Sequence, residues 1–341
     1  MTEKKGLLTV YDEVAKCNRC GFCQAQCPIY SITGAEASVA RGHNAHIRGV
    51  IEQKLDFTEE IKAPLFECLL CRACVANCFP AIKTDDNVIA ARSAYVQRFG
   101  QSRLLDFIFH NLLPNPKKMA FYLRLAATGR NNRLIKLAES LQLFKWFGRG
   151  LGQAIQIVPA FPKRFLSEIL SQSSFNSQDS ARPSRCRVAY FIGCGVNYTL
   201  PEIGEATLKV LRDYGCQVEV VENNCCGLPP LVYGNVEAAR LLARKNIDML
   251  QDLSVDAIVT DCGSCASFLK DYPKILAGEE NYGDSARRIS EKIQEFSQFI
   301  HNLETSKTFA SLNQTVTYHD PCHMSRYQQI MQQPRELIAN L

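Results

Sequence analysis

Eight of the sixteen cysteines fall in two tight runs: Cys17, Cys20, Cys23 and Cys27 followed by Pro28, then Cys68, Cys71, Cys74 and Cys78. Gaps of two, two and three residues let one loop present three thiolates to separate irons of a [4Fe-4S] cube and send the fourth to a neighbouring cube. A tetrahedral zinc usually draws two cysteines from such a loop, which leaves the third without a partner. Disulfides at this density need an oxidising compartment. The runs therefore predict two [4Fe-4S] clusters with crossed ligation, Cys17, Cys20, Cys23 and Cys78 on one, Cys68, Cys71, Cys74 and Cys27 on the other. In the second run Phe79 separates Cys78 from Pro80, which displaces the proline by one position and leaves the ligand count unchanged.

Five more cysteines, Cys194, Cys225, Cys226, Cys262 and Cys265, are distant in sequence, but each group follows a strand-like run. Ligands of open α/β sheets gather outside the carboxyl ends of the strands, so the five are expected to converge. Cys262-Gly-Ser-Cys265 also suits thiol exchange, because a helix N-terminus lowers a thiol pKa; Cys262 and Cys265 are the candidates for any catalytic role. Cys322, within Tyr318-His319-Asp320-Pro321-Cys322-His323, follows a fourth strand-like run and approaches the same rim. Cys186 and Cys216 read as small buried thiols without a role. Arg41, His43 and His46 lie between the two ferredoxin-type runs and read as solvated or helix-capping side chains, with tuning of a cluster as the functional alternative.

The elements that must position these groups change character along the chain. Leu104, Leu105, Ile108, Leu112 and Leu134, Leu137, Leu141, Phe144 recur at helical spacing, as do Ile47, Val50, Ile51 and Leu55. Downstream, Arg187 to Ile192, Val218 to Val221, Ala257 to Thr260 and Val316 to Tyr318 read as strands separated by helical stretches, which predicts βαβ units and a parallel sheet. Thr199 and Glu202 fit a capping box for the first intervening helix, with Pro201 in its first turn and Gly215 past its end. The segment Ser171 to Arg185 has linker composition. The reading is an α+β, multi-domain chain. Residues 1–100 form an α-helical domain with the two cluster motifs, 101–170 a basic helical segment, 171–186 a linker and 187–341 an α/β domain with a parallel sheet.

A hydrophobic content of 46% over 341 residues suffices for packed cores and excludes general disorder. The balance of 39 basic to 34 acidic residues is too mild to announce nucleic acid, and no nucleic-acid-binding domain is recognisable. Residues 101–170 nevertheless hold eleven Lys and Arg against three acidic residues. Interleaved with Phe107, Phe109, Phe121, Leu125, Trp146, Phe147 and Phe165, this charge has three readings: a solvated basic face, a peripheral contact with the inner face of the cell membrane, or a dock for a partner subunit. The longest apolar stretches, Val188 to Ile192 and Ala257 to Val259, fall far short of the ~20 residues of a spanning helix. The start of the chain lacks the apolar core of a secretory signal, so the expected compartment is the cytoplasm.

At its cysteines the chain resembles the cysteine-rich (CCG) domain family. That family is shared by heterodisulfide reductase subunits and the iron-sulfur subunits of glycolate oxidase, lactate oxidation complexes and anaerobic glycerol-3-phosphate dehydrogenase. The order of two ferredoxin motifs, basic helical middle and CCG domain is that of the flavoprotein-partner subunits. The roughly forty residues between the motifs resemble the α-helical ferredoxin type. The resemblance implies an electron-transfer subunit of an oxidoreductase complex. FAD would sit on a partner dehydrogenase of glycolate or lactate type, and electrons would pass singly to a quinone or another carrier. It gives Cys194, Cys225, Cys226, Cys262 and Cys265 the candidate role of holding a third [4Fe-4S] cluster. No dinucleotide fingerprint is present: Gly193-Cys-Gly195 lacks the third glycine, and Gly148-Arg-Gly150-Leu-Gly152 lacks the strand and helix order. The alternatives are a heterodisulfide reductase-like catalytic subunit using a CCG-bound cluster, and a zinc-stabilised binding module. The family normally carries a second CCG repeat, and His319-Asp320-Pro321-Cys322-His323 resembles its opening. The chain reaches Leu341 before another paired-cysteine group, so that repeat reads as incomplete.

Overall fold

The computed structural model describes residues 6–131, 161–172, 184–303 and 314–340. Helices Ala40–Ile51, Lys62–Glu67 and Thr84–Phe99 frame the N-terminal region. Ile47 and Val50, three apart on one helical face, join Val14, Phe57, Leu65, Ala91, Ala94 and Tyr95 in its core. Leu55, expected to extend the periodic run, lies past the helix end. The chain turns back there: the amides of Lys54 and Leu55 both donate to the Gly49 carbonyl, and a Cβ on Gly49 would meet Leu55 Cδ1 at 2.7 Å.

The second region is built on a four-stranded parallel sheet in the order β2-β1-β3-β4, with β1 Cys186–Phe191, β2 Cys216–Val221, β3 Ala257–Thr260 and β4 Ile293–Glu295. β1 is central and covered on both faces, as parallel strands require. Ala189 and Phe191 enter one core with Leu242, Phe268 and Leu269, while Val188 and Tyr190 enter the cores on the other side. Three expected strands are present. The fourth is not: residues 314–320 form no strand, and Val316 is exposed. Its place at the sheet edge is taken by Ile293–Glu295, a run whose sequence reads as helix. Its ends are buried, and Glu295 accepts from the amides of Ser297 and Gln298 to cap the next helix. The capping box is also corrected. Helix Pro201–Asp213 keeps Pro201 in its first turn and Gly215 past its end, but Leu200 is its N-cap and Thr199 Oγ1 donates to the Gly195 carbonyl instead.

The described aromatic residues of the basic segment differ in exposure. Phe109 and Phe165 are buried, Phe107, Phe121 and Leu125 are exposed, and Trp146 and Phe147 lie outside the described residues, as does the Leu134–Phe144 run. Phe109 and Leu113 pack with β1, and Leu166 and Leu170 of helix Leu166–Gln172 pack on Tyr190 and Leu208. At the two ends of the expected linker, Ser171 and Gln172 are helical and Cys186 opens β1; residues 173–183 lie outside the described residues. Among the described residues no helix is long and apolar enough to cross a membrane.

The two regions meet closely at Gly234. Its φ is +83°, and a Cβ there would stand 2.5 Å from the carbonyl oxygen of Arg92. Gly234→Ala combines left-handed backbone strain with a backbone clash and is expected to destabilise the chain by about 3 kcal/mol. Urea unfolding of the variant beside the parent checks this, and a cost under about 1 kcal/mol would show that the contact can relax.

Candidate metal centres

The two ferredoxin-type loops have one backbone design. In the first, Arg19 and Gly21 have positive φ; in the second, Leu70 and Arg72 do, at the equivalent positions around the middle cysteine. Only one of these four residues is glycine, so the wrap is held at a conformational cost, as functional sites commonly are. Each loop then enters a short helix, Phe22–Ala25 or Ala73–Ala76.

Two hollows lie against these loops. One is lined by Cys68, Cys71 and Cys74 of the second motif together with Cys27 of the first. The other is lined by Cys17, Cys20 and Cys23 of the first together with Cys78 of the second. Both are small hollows, open in part to solvent. Ala40, Cys74 and Thr84 border both, so the hollows share a wall. Cys27 reaches the far hollow because it ends its own loop as N-cap of helix Pro28–Thr33, where its Sγ accepts from the Tyr30 amide at 3.4 Å and Pro28 starts the helix. At Cys78 the inserted Phe79 is 90% exposed, so the extra residue bulges into solvent and the cysteine stays on its hollow.

Charge differs between the two. Arg41 lines the first-motif hollow, paired with Glu36 and reaching the Arg19 carbonyl at 3.4 Å. At the second-motif hollow Arg72 pairs with Asp85 at 2.7 Å. His43, expected to be solvated or capping, is buried there; its Nε2 meets the Pro64 carbonyl at 3.0 Å, and burial holds its pKa down at about 4. His46 lines neither hollow. Burial pushes the thiols of Cys23, Cys68 and Cys74 up, so without metal they are neutral, and ligation would release their protons. Among the described residues no three His, Cys, Asp or Glu side chains close around a single ion; the sulfurs are instead arrayed around the hollows.

The five distant cysteines do converge. Cys194 opens the helix after β1, Cys225 and Cys226 lie in the loop after β2, and Cys262 caps the helix Gly263–Lys270 after β3. Their thiols form a chain in hydrogen-bond contact, Cys194 to Cys225 to Cys226 to Cys265 to Cys262. Donation from Cys225 and then Cys265 pulls Cys226 down to about 6, and donation from Cys265 pulls Cys262 down to about 7. Cys194, which donates to Cys225, is pushed up. A Cβ on Gly193 would come within 3.0 Å of Cys262 Cβ, which explains the glycine before Cys194. Gly227 adopts φ +103° beside the Ala239 carbonyl. Asn246, fully buried, donates to the Cys225 carbonyl at 3.0 Å, and Tyr272 donates to the Cys226 carbonyl at 2.7 Å. Those two supports carried no sequence signal of their own.

Helix Cys322–Gln328 links this site to the second-motif hollow. Met324 packs against Gly263; Tyr327 donates to the Leu70 carbonyl at 2.6 Å, and Arg326 to the Cys71 carbonyl at 3.0 Å. The Arg72 guanidinium lies 3.7 Å from the Tyr327 ring centre, and the His323 ring stacks on that of Tyr327 at 4.5 Å. The helix of Cys322 therefore clamps the Cys68–Cys71 loop, while Cys322 itself is no part of the five-thiol chain.

Residues 13–82 match the 4Fe-4S dicluster domain family, and residues 188–270 and 316–341 match the cysteine-rich CCG domain family. Parts of the chain are thus similar to a 4Fe-4S dicluster domain and, downstream of it, to a cysteine-rich CCG domain. It is 28% identical over 96% of its length to a probable glycolate oxidase iron-sulfur subunit of Bacillus subtilis (strain 168), covering 75% of that relative. Over 46% of its length it is 34% identical to lactate utilization protein A of Bacillus cereus (strain G9842), covering 65% of it. Over 47% it is 34% identical to an uncharacterized iron-sulfur protein of Methanocaldococcus jannaschii, of which it spans 30%. Against the last two, then, the chain spans less than two thirds of the relative's length. No solved structure matches it.

Proposed function

We propose that the chain is the electron-transfer subunit of a glycolate- or lactate-type dehydrogenase whose FAD resides on a partner subunit. In this reading Cys17, Cys20, Cys23 and Cys78 hold one [4Fe-4S] cluster, Cys68, Cys71, Cys74 and Cys27 a second, and Cys194, Cys225, Cys226, Cys262 and Cys265 a third. When bound, the clusters supply one-electron steps between a two-electron flavin and a quinone or other carrier. The observation that carries the reading is the pair of adjoining hollows, each lined by the first three cysteines of one motif and by the fourth of the other, with Cys74 on the wall they share. The chain's own contribution is placement. Arg92, Arg326 and Tyr327 tie the second-motif loop to the α/β region. The anionic side chains of the relay are met by Arg41 and Arg72 at their respective hollows.

A second reading is favoured by the thiol chain itself. Cys262 at the N-cap of helix Gly263–Lys270, with Cys265 in its first turn, is a setting that would suit a disulfide-cleaving centre of heterodisulfide reductase type. Anaerobically purified protein should carry about twelve irons if all three sites fill, and about eight if the five thiols stay metal-free. With the flavoprotein partner present, glycolate or lactate should bleach the clusters within the mixing time of an anaerobic titration. Bleaching by neither acid, together with turnover of a small disulfide, would transfer the assignment to the second reading. Colourless protein containing zinc would end both.

A further inference from the structure

Cys186 and Cys216 belong to none of the three sites. They open β1 and β2 at the end of the sheet opposite the five thiols, and they are direct partners in the parallel register. Neighbouring strands run about 4.8 Å apart, inside the 4.4–6.8 Å Cα separation that disulfides span. The two Sγ atoms are 3.0 Å apart. The backbone fixes that approach. Gly215, at φ +82°, turns the chain into β2, and its carbonyl accepts from the Arg185 amide at 2.9 Å, so the strand roots are laced together one residue before the cysteines.

The surroundings of the two sulfurs differ. Cys216 is buried among Val188, Leu211 and Ala257, whereas Cys186 is only half-buried. One thiol is thus open to a small reagent and the other is placed to resolve what forms on it.

We propose that Cys186 and Cys216 form a reversible disulfide, an oxidation site separate from the iron-sulfur ligands, with a low-molecular-weight disulfide such as oxidised glutathione as the oxidant. The Cys186 thiolate attacks one sulfur of the small disulfide, whose S–S bond breaks and releases one glutathione thiolate. Cys216 Sγ then attacks Cys186 Sγ; the mixed S–S bond breaks, the Cys186–Cys216 bond forms, and the second glutathione leaves. The protons of the two cysteines pass to the two glutathione thiolates. Two protein thiols are oxidised and one small disulfide is reduced to two thiols. Burial pushes the Cys216 thiol up, so the resolving step quickens as pH rises. The bridge would join the roots of the two strands whose far ends carry Cys194 and the Cys225–Cys226 loop.

The test uses the metal-loaded chain under anaerobic conditions, equilibrated across ratios of reduced to oxidised glutathione, alkylated and digested without reduction. The expected product is a linked pair of peptides carrying Cys186 and Cys216, two hydrogens lighter than the separate peptides, reversed by excess reduced glutathione with the iron content unchanged. Cys216→Ser should stop at a glutathione adduct on Cys186, and Cys186→Ser should give neither link nor adduct at Cys216. Full alkylation of both cysteines in the parent chain at the most oxidising ratio would overturn the proposal. So would a glutathione adduct that persists on the parent Cys186, or a link from either cysteine to one of the other fourteen.

Discussion

Arg92→Ala is expected to cost about 3–5 kcal/mol, since three carbonyls would lose a charged donor at about 1–3 kcal/mol each. Arg92 is 4% exposed. Its Nε and Nη2 donate to the Leu65 carbonyl at 2.9 and 2.6 Å, Nη2 also reaches the Cys68 carbonyl at 2.6 Å, and Nη1 reaches the Val232 carbonyl at 2.6 Å. One planar group thus satisfies three carbonyls on three segments: the end of helix Lys62–Glu67, the first cysteine of the second motif, and the helix beside the Cys225–Cys226 loop. The Phe66 ring lies 5.0 Å from the guanidinium carbon and closes the remaining side. Burial lowers the Arg92 pKa, the direction expected of a cation held by neutral oxygens. Arg92→Lys should recover little, because a single ammonium cannot span the fork. Urea unfolding of the anaerobic protein, with iron counted before and after, reads both effects. The Ala variant should lose stability and part of its metal together, since the orphaned Cys68 carbonyl belongs to a cluster loop. A loss below about 1 kcal/mol with metal retained would mean that water or a neighbouring side chain replaces the guanidinium.

That residue was not legible in the sequence, and the reason is physical. Arg92 lies on a helix whose pattern is satisfied by Val88, Ala91 and Tyr95, and an arginine between them reads as solvated unless the partner carbonyls are known. Tyr327, Asn246 and Tyr272 were invisible for the same reason: they act on backbone oxygens that any residue could supply. The thiols were different. Metal ligation requires particular atoms at set spacings, so the two ferredoxin runs and the five scattered cysteines could be grouped before any fold was known. β1 and β3 were legible because buried parallel strands demand continuous apolar runs, and β2, at the sheet edge, because Val218, Val220 and Val221 keep it β-branched. β4 was not, since three residues at a sheet edge need only two buried side chains, Ile293 and Glu295, and the flanking helices dominate the periodicity. Val316 to Tyr318 has the right composition, yet among the described residues nothing pairs with it as a strand. Cys186 and Cys216 each read as a packed thiol in the sequence, and only the strand register makes them neighbours.

Cys78→Ala is expected to reproduce the fault of Cys20→Ala, and Cys27→Ala that of Cys71→Ala, each variant losing about four of the irons held by the N-terminal region or converting one cluster to a three-iron form. Ligation in series along each motif predicts the opposite pairing, so the comparison separates the two arrangements. The crossed outcome follows from where the fourth cysteines stand. Cys27 caps helix Pro28–Thr33 and faces the second-motif hollow, and Cys78, with Phe79 thrown outward, faces the first. Alanine is the informative replacement because serine could still offer an oxygen to iron. Iron analysis and low-temperature paramagnetic spectra of the reduced, anaerobic variants give the readout; matching spectra for Cys78→Ala and Cys71→Ala would sink the crossed arrangement. Crossing also has a consequence for folding. About forty residues separate the motifs, and each cluster would stitch one to the other, so binding free energy at either hollow becomes folding free energy of the N-terminal region. Removing one crossing ligand should therefore leave a region held by a single stitch, with exposure of the Thr84–Phe99 helix to protease rising in step with iron loss. Loss of iron with unchanged protease resistance would show that the shared wall of Ala40, Cys74 and Thr84 is held by packing alone.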